Sequence, residues 1–124
     1  MRSFENKGAV VTGAASGIGR ALAQQLAQRG AELALVDLNA SALAETGVAQ
    51  HGRVELLVNN AGVSVTGGFE EQTLDDWRWI VGVNFWGVVH GCKFLLPHLR
   101  RAEEAHIVNL SSMFGLTGPP TQSS

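Results

Sequence analysis

The segment of this sequence that most constrains the fold is Thr12-Gly13-Ala14-Ala15-Ser16-Gly17-Ile18-Gly19. It follows an apolar run and precedes a helical pattern, so it predicts a sharp turn from a strand into a helix. Gly13 can make the turn, Gly17 leaves room for a pyrophosphate, and Gly19 lets the helix pack closely on the strand. The free N–H groups and positive dipole end of that helix would face the phosphates. The predicted pyrophosphate-binding residues are Gly13, Ser16, Gly17, Ile18 and Gly19; the alternative is a purely structural turn.

Apolar runs that alternate with helical patterns predict a parallel α/β sheet. The predicted strands are residues 7–12, 32–37, 54–59 and 106–110. Helices are predicted over 17–29, weakly over 41–49, and over about 74–100, where Thr73 and Asp76 form a capping-box pattern. We expect one domain over residues 1–124, a Rossmann-type doubly wound sheet of at least four strands, in the spatial order second, first, third, fourth.

An acidic residue at the end of the second strand indicates which dinucleotide is bound. Asp37 lies about 20 residues beyond the glycines, where a carboxylate can accept hydrogen bonds from both ribose hydroxyls of an adenosine. It would repel a 2′-phosphate, and Ser16 offers no compensating positive charge. We therefore predict that Asp37 and the adjacent Leu38 belong to the site and that NAD is preferred over NADP. The alternative is that Asp37 caps the next turn.

With three further motifs, the sequence resembles the short-chain dehydrogenase/reductase family. The family's TGxxxGxG motif corresponds to residues 12–19, and its NNAG motif to residues 59–62. The family's helix asparagine, in a V-N-x-x-G setting, corresponds to Asn84, and its strand-end serine to Ser112. The motifs occur in the family's order and cover essentially the whole chain. The resemblance implies that Asn60, Ala61 and Gly62 flank the adenosine side of the cofactor.

The resemblance also implies an activity, which is hydride transfer between a nicotinamide cofactor and a small alcohol or carbonyl substrate. In such enzymes a tyrosine acts as general acid and base, assisted by a lysine that lowers its pKa. The resemblance gives Ser112 a hydrogen bond to the substrate oxygen, and it gives Asn84 a water of the proton relay. It further implies a homo-oligomer, a dimer or tetramer, that is formed through the long helix of residues 74–100.

The sequence departs from the family pattern in two places. It contains no tyrosine, and the expected one would follow directly after Ser124. We therefore expect the 124-residue chain to be inactive alone, and a non-catalytic nucleotide-binding or subunit-interaction module is the alternative function. Only 21 residues separate Asp37 from Asn59, so the family's third strand and its adenine-contacting acid have no counterpart.

Two explanations remain for the short middle segment. Either the chain is a truncated, internally deleted product, or these residues are the ordered part of a longer enzyme with a mobile stretch left out near residue 47. We favour the second slightly, because both breaks fall beside ligand-contacting loops. A continuous peptide would show Cα–Cα steps of about 3.8 Å along residues 45–50.

Composition excludes several other function classes. A net charge of −2 without a basic block argues against nucleic acid as a partner. No metal site is expected, because Cys92 is the single cysteine and the four histidines lack ligand spacing. The apolar stretch over residues 80–96 is interrupted by polar side chains, and we interpret it as too short and too polar to cross a bilayer. No signal-peptide pattern is present, so the predicted location is the cytoplasm.

Overall fold

Four parallel strands form the sheet, in the order β2-β1-β3-β4. The computed structural model describes residues 1–36 and 52–117. The strands are β1 (Gly8–Thr12), β2 (Glu32–Val36), β3 (Leu56–Asn59) and β4 (His106–Asn109). The predicted fold class and spatial order are confirmed, and the strand boundaries differ from prediction by one or two residues. Asp37, Leu38, the weak helix predicted over 41–49 and the peptide steps at 45–50 lie outside the described residues.

The long helix is one continuous element with a change of winding in its middle. It consists of α2 (Leu74–Val81), a π-helical turn (Gly82–Trp86) and α3 (Gly87–Leu99). Thr73 caps its first turn: the N–H of Asp76 donates to Thr73 Oγ1 (3.1 Å), and the N–H of Thr73 donates to Asp76 Oδ2 (2.8 Å). The predicted capping box is therefore confirmed. Hydrogen bonds from the side chain and then the backbone of Thr73 lower the pKa of Asp76.

The sheet is covered by a helix on each face. α1 (Gly17–Gln28) buries Leu26 with Val11 and Val58 on one face, whereas Leu95 and Leu99 of α3 pack on the other face. This arrangement follows from handedness, because the chain moves outward from β1 to β2 and in the opposite direction from β3 to β4. Right-handed crossovers then place the two helices on opposite faces. The carboxyl ends of all strands meet at one edge, where the conserved geometry of such sheets places ligands.

The described residues cover the long helix on one side only. Trp79, Phe85, Trp86 and Phe94 are exposed by 43–57%, and only one side contacts the sheet. The apolar residues around this helix therefore exceed what the described core can cover. β4 is exposed along its whole length as well.

The expectation that this apolar stretch is too short and too polar to cross a bilayer is wrong as far as length and composition go. The helix Leu74–Leu99 has 26 residues and contains an 18-residue window with a mean hydropathy of 1.3, which would suffice by length and composition alone. Its contacts nevertheless tie it to the sheet, because Leu95 and Leu99 belong to the core cluster that contains Val10 and Leu57. A core helix of a globular domain meets the same length and composition criteria, so this likeness is weak evidence for a membrane span.

Candidate functional site

The phosphate-loop sequence forms a tight turn at the carboxyl end of β1. Gly13 has φ of +63° and Gly17 has φ of +53°, a region that side chains other than glycine rarely adopt. The N–H of Gly13 donates to the carbonyl of Val36 (2.9 Å), which ties the turn to the end of β2. Ser16 is the N-cap of α1, and its hydroxyl caps no backbone group of that helix. The hydroxyl of Ser16 is therefore not required by the first turn of α1.

The three glycines of this turn differ in what an added side chain would meet. A Cβ on Gly19 would lie 2.2 Å from the carbonyl oxygen of Gly13, and a Cβ on Gly13 would lie 2.8 Å from Cα of Ala61. By contrast, a Cβ on Gly17 would meet no heavy atom within 4 Å. Gly13 and Gly19 thus allow backbone segments to approach closely, whereas Gly17 keeps open the space in front of the helix N-terminus. The role of Gly17 in leaving room for a pyrophosphate stays a prediction.

Four hydrogen bonds join the phosphate loop to the loop that follows β3. Thr12 Oγ1 accepts from the N–H groups of Asn60 (3.0 Å) and Ala61 (2.9 Å). In return, Asn60 Nδ2 donates to the carbonyls of Thr12 (2.9 Å) and Gly13 (3.2 Å). These four hydrogen bonds hold the two loops against each other. The sequence predicted Asn60 as a cofactor neighbour, but it gave no sign of the role of Thr12.

Between these loops and the long helix lies a cleft of about 690 Å³. Its described lining contains no Lys, Arg, Asp or Glu, so a bound phosphate would be held by backbone N–H groups and hydroxyls. The lining residues are Thr12, Gly13, Ser16, Gly17, Ile18, Val36, Asn59, Asn60, Ala61, Gly62, Val63, Gly82, Val83, Gly87, Val88 and His90.

Ile18 lines the cleft although it shares a helix face with the buried Leu26. Its spacing with Leu22 and Leu26 put the three side chains on one helix face, and Leu26 is 3% exposed. Ile18, however, is 69% exposed and lines the cleft, because it lies in the first turn of α1, beside the phosphate loop. It is therefore placed to contact a ligand and not the core.

Asn84 lies on the π-helical turn, and both polar atoms of its carboxamide form hydrogen bonds with the backbone of one residue, Val63. The N–H of Val63 donates to Asn84 Oδ1 (2.9 Å), and Asn84 Nδ2 donates to the carbonyl of Val63 (2.8 Å). The N–H of Gly87 donates to the carbonyl of Gly82, five residues earlier, as expected for a π-helical turn. The side chain of Asn84 therefore fixes the loop after β3 against the long helix.

Ser112 begins a short 3₁₀ turn, Met113–Gly115, after β4. Its Oγ accepts from the N–H of Phe114 (3.2 Å), which leaves the hydroxyl proton free to be donated. Neither Ser112 nor Asn84 lines the cleft, although Val63, the partner of Asn84, does. The predicted pyrophosphate residues, except Gly19, and the NNAG residues thus line one cleft, whereas neither of the two predicted catalytic residues lines it.

A buried amide connects β3, β4 and α3 next to the cleft. Asn59 is 3% exposed, and its Nδ2 donates to Asn109 Oδ1 (2.8 Å) and lies 3.5 Å from Cys92 Sγ. Its Oδ1 has no hydrogen-bond partner. A Cβ on Gly91 would lie 2.4 Å from that oxygen, so only a Cα hydrogen fits there. The close approach of α3 to the end of β3 therefore requires glycine at this position.

No cluster of three or more metal-binding side chains occurs in residues 1–36 or 52–117.

The sequence pattern of the short chain dehydrogenase family matches this chain over residues 7–48 and again over 39–124. The SadH protein of Mycobacterium tuberculosis is 40% identical over 153 residues, covering 99% of the chain and 55% of SadH. The meso-2,3-butanediol dehydrogenase of Serratia marcescens is 36% identical, covering 93% of the chain and 57% of that enzyme. The chain thus spans about half the length of these relatives.

The alignments also locate the shortened segment. The match to SadH spans 153 residues although the chain has 124, so about 30 positions of SadH have no counterpart here. The two family matches overlap over residues 39–48, which indicates that the chain passes there from an early part of the family pattern to a later part. This agrees with the shortening inferred between Asp37 and Asn59.

Among solved structures, a short chain dehydrogenase/reductase from Burkholderia phymatum in complex with NAD has a TM-score of 0.88 to this chain. It is 37% identical, and the match covers 98% of this chain and 54% of that one.

Proposed function

Because this chain belongs to the short-chain dehydrogenase/reductase family, we propose that it binds NAD for hydride transfer between the nicotinamide and a small alcohol or carbonyl substrate. The observation that carries the proposal is the open space in front of the N-terminus of α1. Gly17 faces this space without a neighbour within 4 Å, and Ser16 supplies a hydroxyl beside it. Backbone N–H groups and a positive helix end are the groups that bind a pyrophosphate.

The preference for NAD over NADP is supported by charge. The described lining of the cleft holds no Lys or Arg that would pair with a 2′-phosphate. Asp37, which follows β2 in the sequence, would repel that phosphate and accept hydrogen bonds from a ribose. The related structure from Burkholderia phymatum is a complex with NAD. We therefore propose Asp37 and Leu38 as the adenosine-ribose side of the site.

Ser112 and Asn84 are proposed to serve the substrate side in different ways. The hydroxyl of Ser112 retains a proton that it can donate to a substrate oxygen, because its lone pair is what receives the N–H of Phe114. Asn84 is a positioning residue, since both polar atoms of its side chain hold Val63, which lines the cleft. When bound, the nicotinamide would accept or supply the hydride.

We also propose that the chain forms homo-oligomers through the outward side of the helix Leu74–Leu99. Phe85, Trp86 and Phe94 are exposed on it by 43–57%, and contiguous apolar surface of this kind is typical of an interface. The cytoplasm remains the proposed compartment.

A second candidate function is nucleotide binding without catalysis. It is favoured for the 124-residue chain by the absence of any tyrosine, since the proposed chemistry requires a general acid and base. Turnover of alcohols with NAD by the purified 124-residue chain would contradict the tyrosine-based mechanism. Binding of NADH without turnover is the expected result.

The test of the proposal compares two glycines that share the same backbone strain. Gly17 and Gly52 have φ of +53° and +67°, and neither has a heavy atom within 4 Å of an added Cβ. Gly17→Ala and Gly52→Ala should therefore lose similar stability, on the order of 1 kcal/mol. Only Gly17→Ala places a methyl group in the cleft, so only this variant should weaken NADH binding.

NADH binding is measured by fluorescence titration, with NADPH as the second ligand. Wild-type chain should bind NADH more tightly than NADPH. Equal binding of NADH by the two glycine variants would contradict the proposed pyrophosphate site. Tighter binding of NADPH would contradict the proposed role of Asp37.

A further inference from the structure

A second pocket, of about 290 Å³, lies at the amino ends of the strands, at the sheet edge opposite the cleft. Lys7 and Glu55 line it and directly precede β1 and β3, whereas His98 and Arg101 line it from the end of α3. Although the chain has a net charge of −2, this pocket has a net charge of +1 with His98 neutral. Its permanent cations are Lys7, Arg53 and Arg101, and its carboxylates are Glu55 and Glu103.

The buried carboxylate of this pocket already has its partners. Glu55 is 6% exposed, and the N–H of Gly8 donates to its Oε2 (2.6 Å). Its Oε1 lies 3.4 Å from Nε of Arg53 and 4.0 Å from Nζ of Lys7. Arg53 also donates from Nη2 to the carbonyl of Asn6. Glu55 and Arg53 therefore compensate each other's charge, as burial requires, and neither is available to a ligand.

The other basic side chains of the pocket retain hydrogen-bonding capacity. Those of Arg101 and His98 form no hydrogen bond or ion pair with the part of the chain that the structure describes. Lys7 has only its 4.0 Å contact with Glu55, which is the limit for an ion pair. The second carboxylate, Glu103, is exposed, so water and salt screen its charge. An anion would therefore find unpaired donors and a surplus of positive charge here.

The end of α3 does not oppose an anion as strongly as a helix C-terminus usually does. Free carbonyls and the negative end of the dipole normally favour cations at such a position. Here the carbonyls of Leu96, His98 and Leu99 already accept from the N–H groups of the three residues that follow the helix, at 3.0–3.2 Å. These donors reduce the repulsion that an anion would meet beside Arg101.

We propose that Arg101, Lys7 and His98 bind a phosphate group in this pocket, either free phosphate or the phosphate of a small phosphomonoester. The planar fork of a guanidinium matches two phosphate oxygens, an ammonium adds a point charge, and an imidazole adds a further donor. The pocket and the cleft have no described lining residue in common. The proposal is therefore independent of dinucleotide binding.

The experiment titrates the purified chain with sodium phosphate and follows the backbone amides by nuclear magnetic resonance. Sodium phosphate replaces sodium chloride at constant pH and ionic strength, so that screening stays fixed. Gly52 and Ala102 report on this pocket, whereas Gly17 and Ile18 report on the phosphate loop. Each site therefore gives its own Kd. Glycerol 3-phosphate is the second ligand, and it distinguishes a phosphomonoester site from a site for free phosphate.

Two neighbouring arginines provide a matched pair of variants. Arg101→Ala should raise the Kd measured at Gly52 and Ala102 about tenfold, which corresponds to about 1.4 kcal/mol. Arg100→Ala should bind like wild type, because Arg100 is exposed and does not line the pocket. Arg101→Lys, which keeps the charge and loses the fork, should lie between wild type and Arg101→Ala. Circular dichroism should be unchanged in all three variants, because both arginines are exposed.

Saturable shifts at Gly52 and Ala102 that weaken in Arg101→Ala, and not in Arg100→Ala, would support the proposal. The ligand with the lower Kd would then identify free phosphate or a phosphomonoester. Shifts confined to Gly17 and Ile18 would overturn the proposal, since phosphate would then bind only at the phosphate loop. Equal affinity of Arg100→Ala and Arg101→Ala would also overturn it, as would the same shifts with sodium chloride alone.

Discussion

Gly19 offers the sharpest test of how the phosphate loop is packed. In Gly19→Ala, the new Cβ would lie 2.2 Å from the carbonyl oxygen of Gly13 and 2.4 Å from Asn60 Nδ2. Ordinary van der Waals contact begins at 3.4 Å, so the start of α1 must retreat by about 1 Å. That shift would separate the helix from the turn and disturb the bond between Asn60 and Gly13.

The expected loss is the difference between two opposing effects. Forcing a methyl group into a packed region typically costs about 1–3 kcal/mol. A contact of 2.2 Å with a backbone oxygen belongs to the upper part of that range, about 2–3 kcal/mol. Alanine is favoured over glycine within a helix by about 1 kcal/mol. The net loss for Gly19→Ala should therefore be about 1–2 kcal/mol, which corresponds to a fall in Tm of about 3–10 °C for a chain of this size.

Gly82→Ala is the control for this measurement. Gly82 is helical, with φ of −58°, and an added Cβ would meet no heavy atom within 4 Å. Without a steric cost, the helix propensity of alanine should raise stability by up to about 1 kcal/mol. Thermal and urea unfolding followed by circular dichroism would measure both variants. A Gly19→Ala chain that unfolds at or above the wild-type temperature would refute the close packing of helix on turn.

Three further predictions concern the long helix. Gly91→Ala should lose about 2 kcal/mol in urea unfolding, because its Cβ would lie 2.4 Å from the buried Asn59 Oδ1; wild-type stability would contradict this. Thr73→Ala should cost about 1 kcal/mol at neutral pH. The ionised Asp76 contributes to the cap above its unfolded pKa of 3.8, and this contribution is lost as the pH falls through its lowered folded pKa. If the stability difference between wild type and Thr73→Ala were the same at pH 2 as at neutral pH, this role of Asp76 would be contradicted. Trp86→Ser should reduce the apparent mass in light scattering, whereas an unchanged mass would exclude Trp86 from the oligomer interface.

The parts of the fold that sequence predicted correctly are those set by local chemistry. The three glycines of the loop, the capping box at Thr73 and the strand order all follow from short-range sterics or from the handedness of crossovers. Most of the predicted pyrophosphate residues and the NNAG residues line one cleft because they directly follow β1 and β3. A residue's position relative to a strand end is readable from the chain itself.

Periodicity alone could not predict which apolar residues of a helix the rest of the fold leaves exposed. Ile18 follows the same four-residue spacing as Leu26, yet it projects beyond the sheet edge into the cleft. The exposed aromatic residues of the long helix show the same limit, because periodicity gives the apolar faces without saying what covers each one.

The π-helical turn carries the residue that makes two long-range hydrogen bonds to the loop after β3. Residues 82–86 contain glycine and β-branched or aromatic side chains, which lower helix propensity without favouring five-residue hydrogen bonds. The described interaction that distinguishes this turn is the pair of bonds from Asn84 to the backbone of Val63, 21 residues earlier. The N–H of Gly87 donates to the carbonyl of Gly82, so this turn holds one residue more than an α-helical turn. The extra residue is compatible with the contact between Asn84 and the loop after β3. Asn84 therefore connects the loop after β3 to the long helix. This connection positions Val63 in the cleft wall that also contains His90.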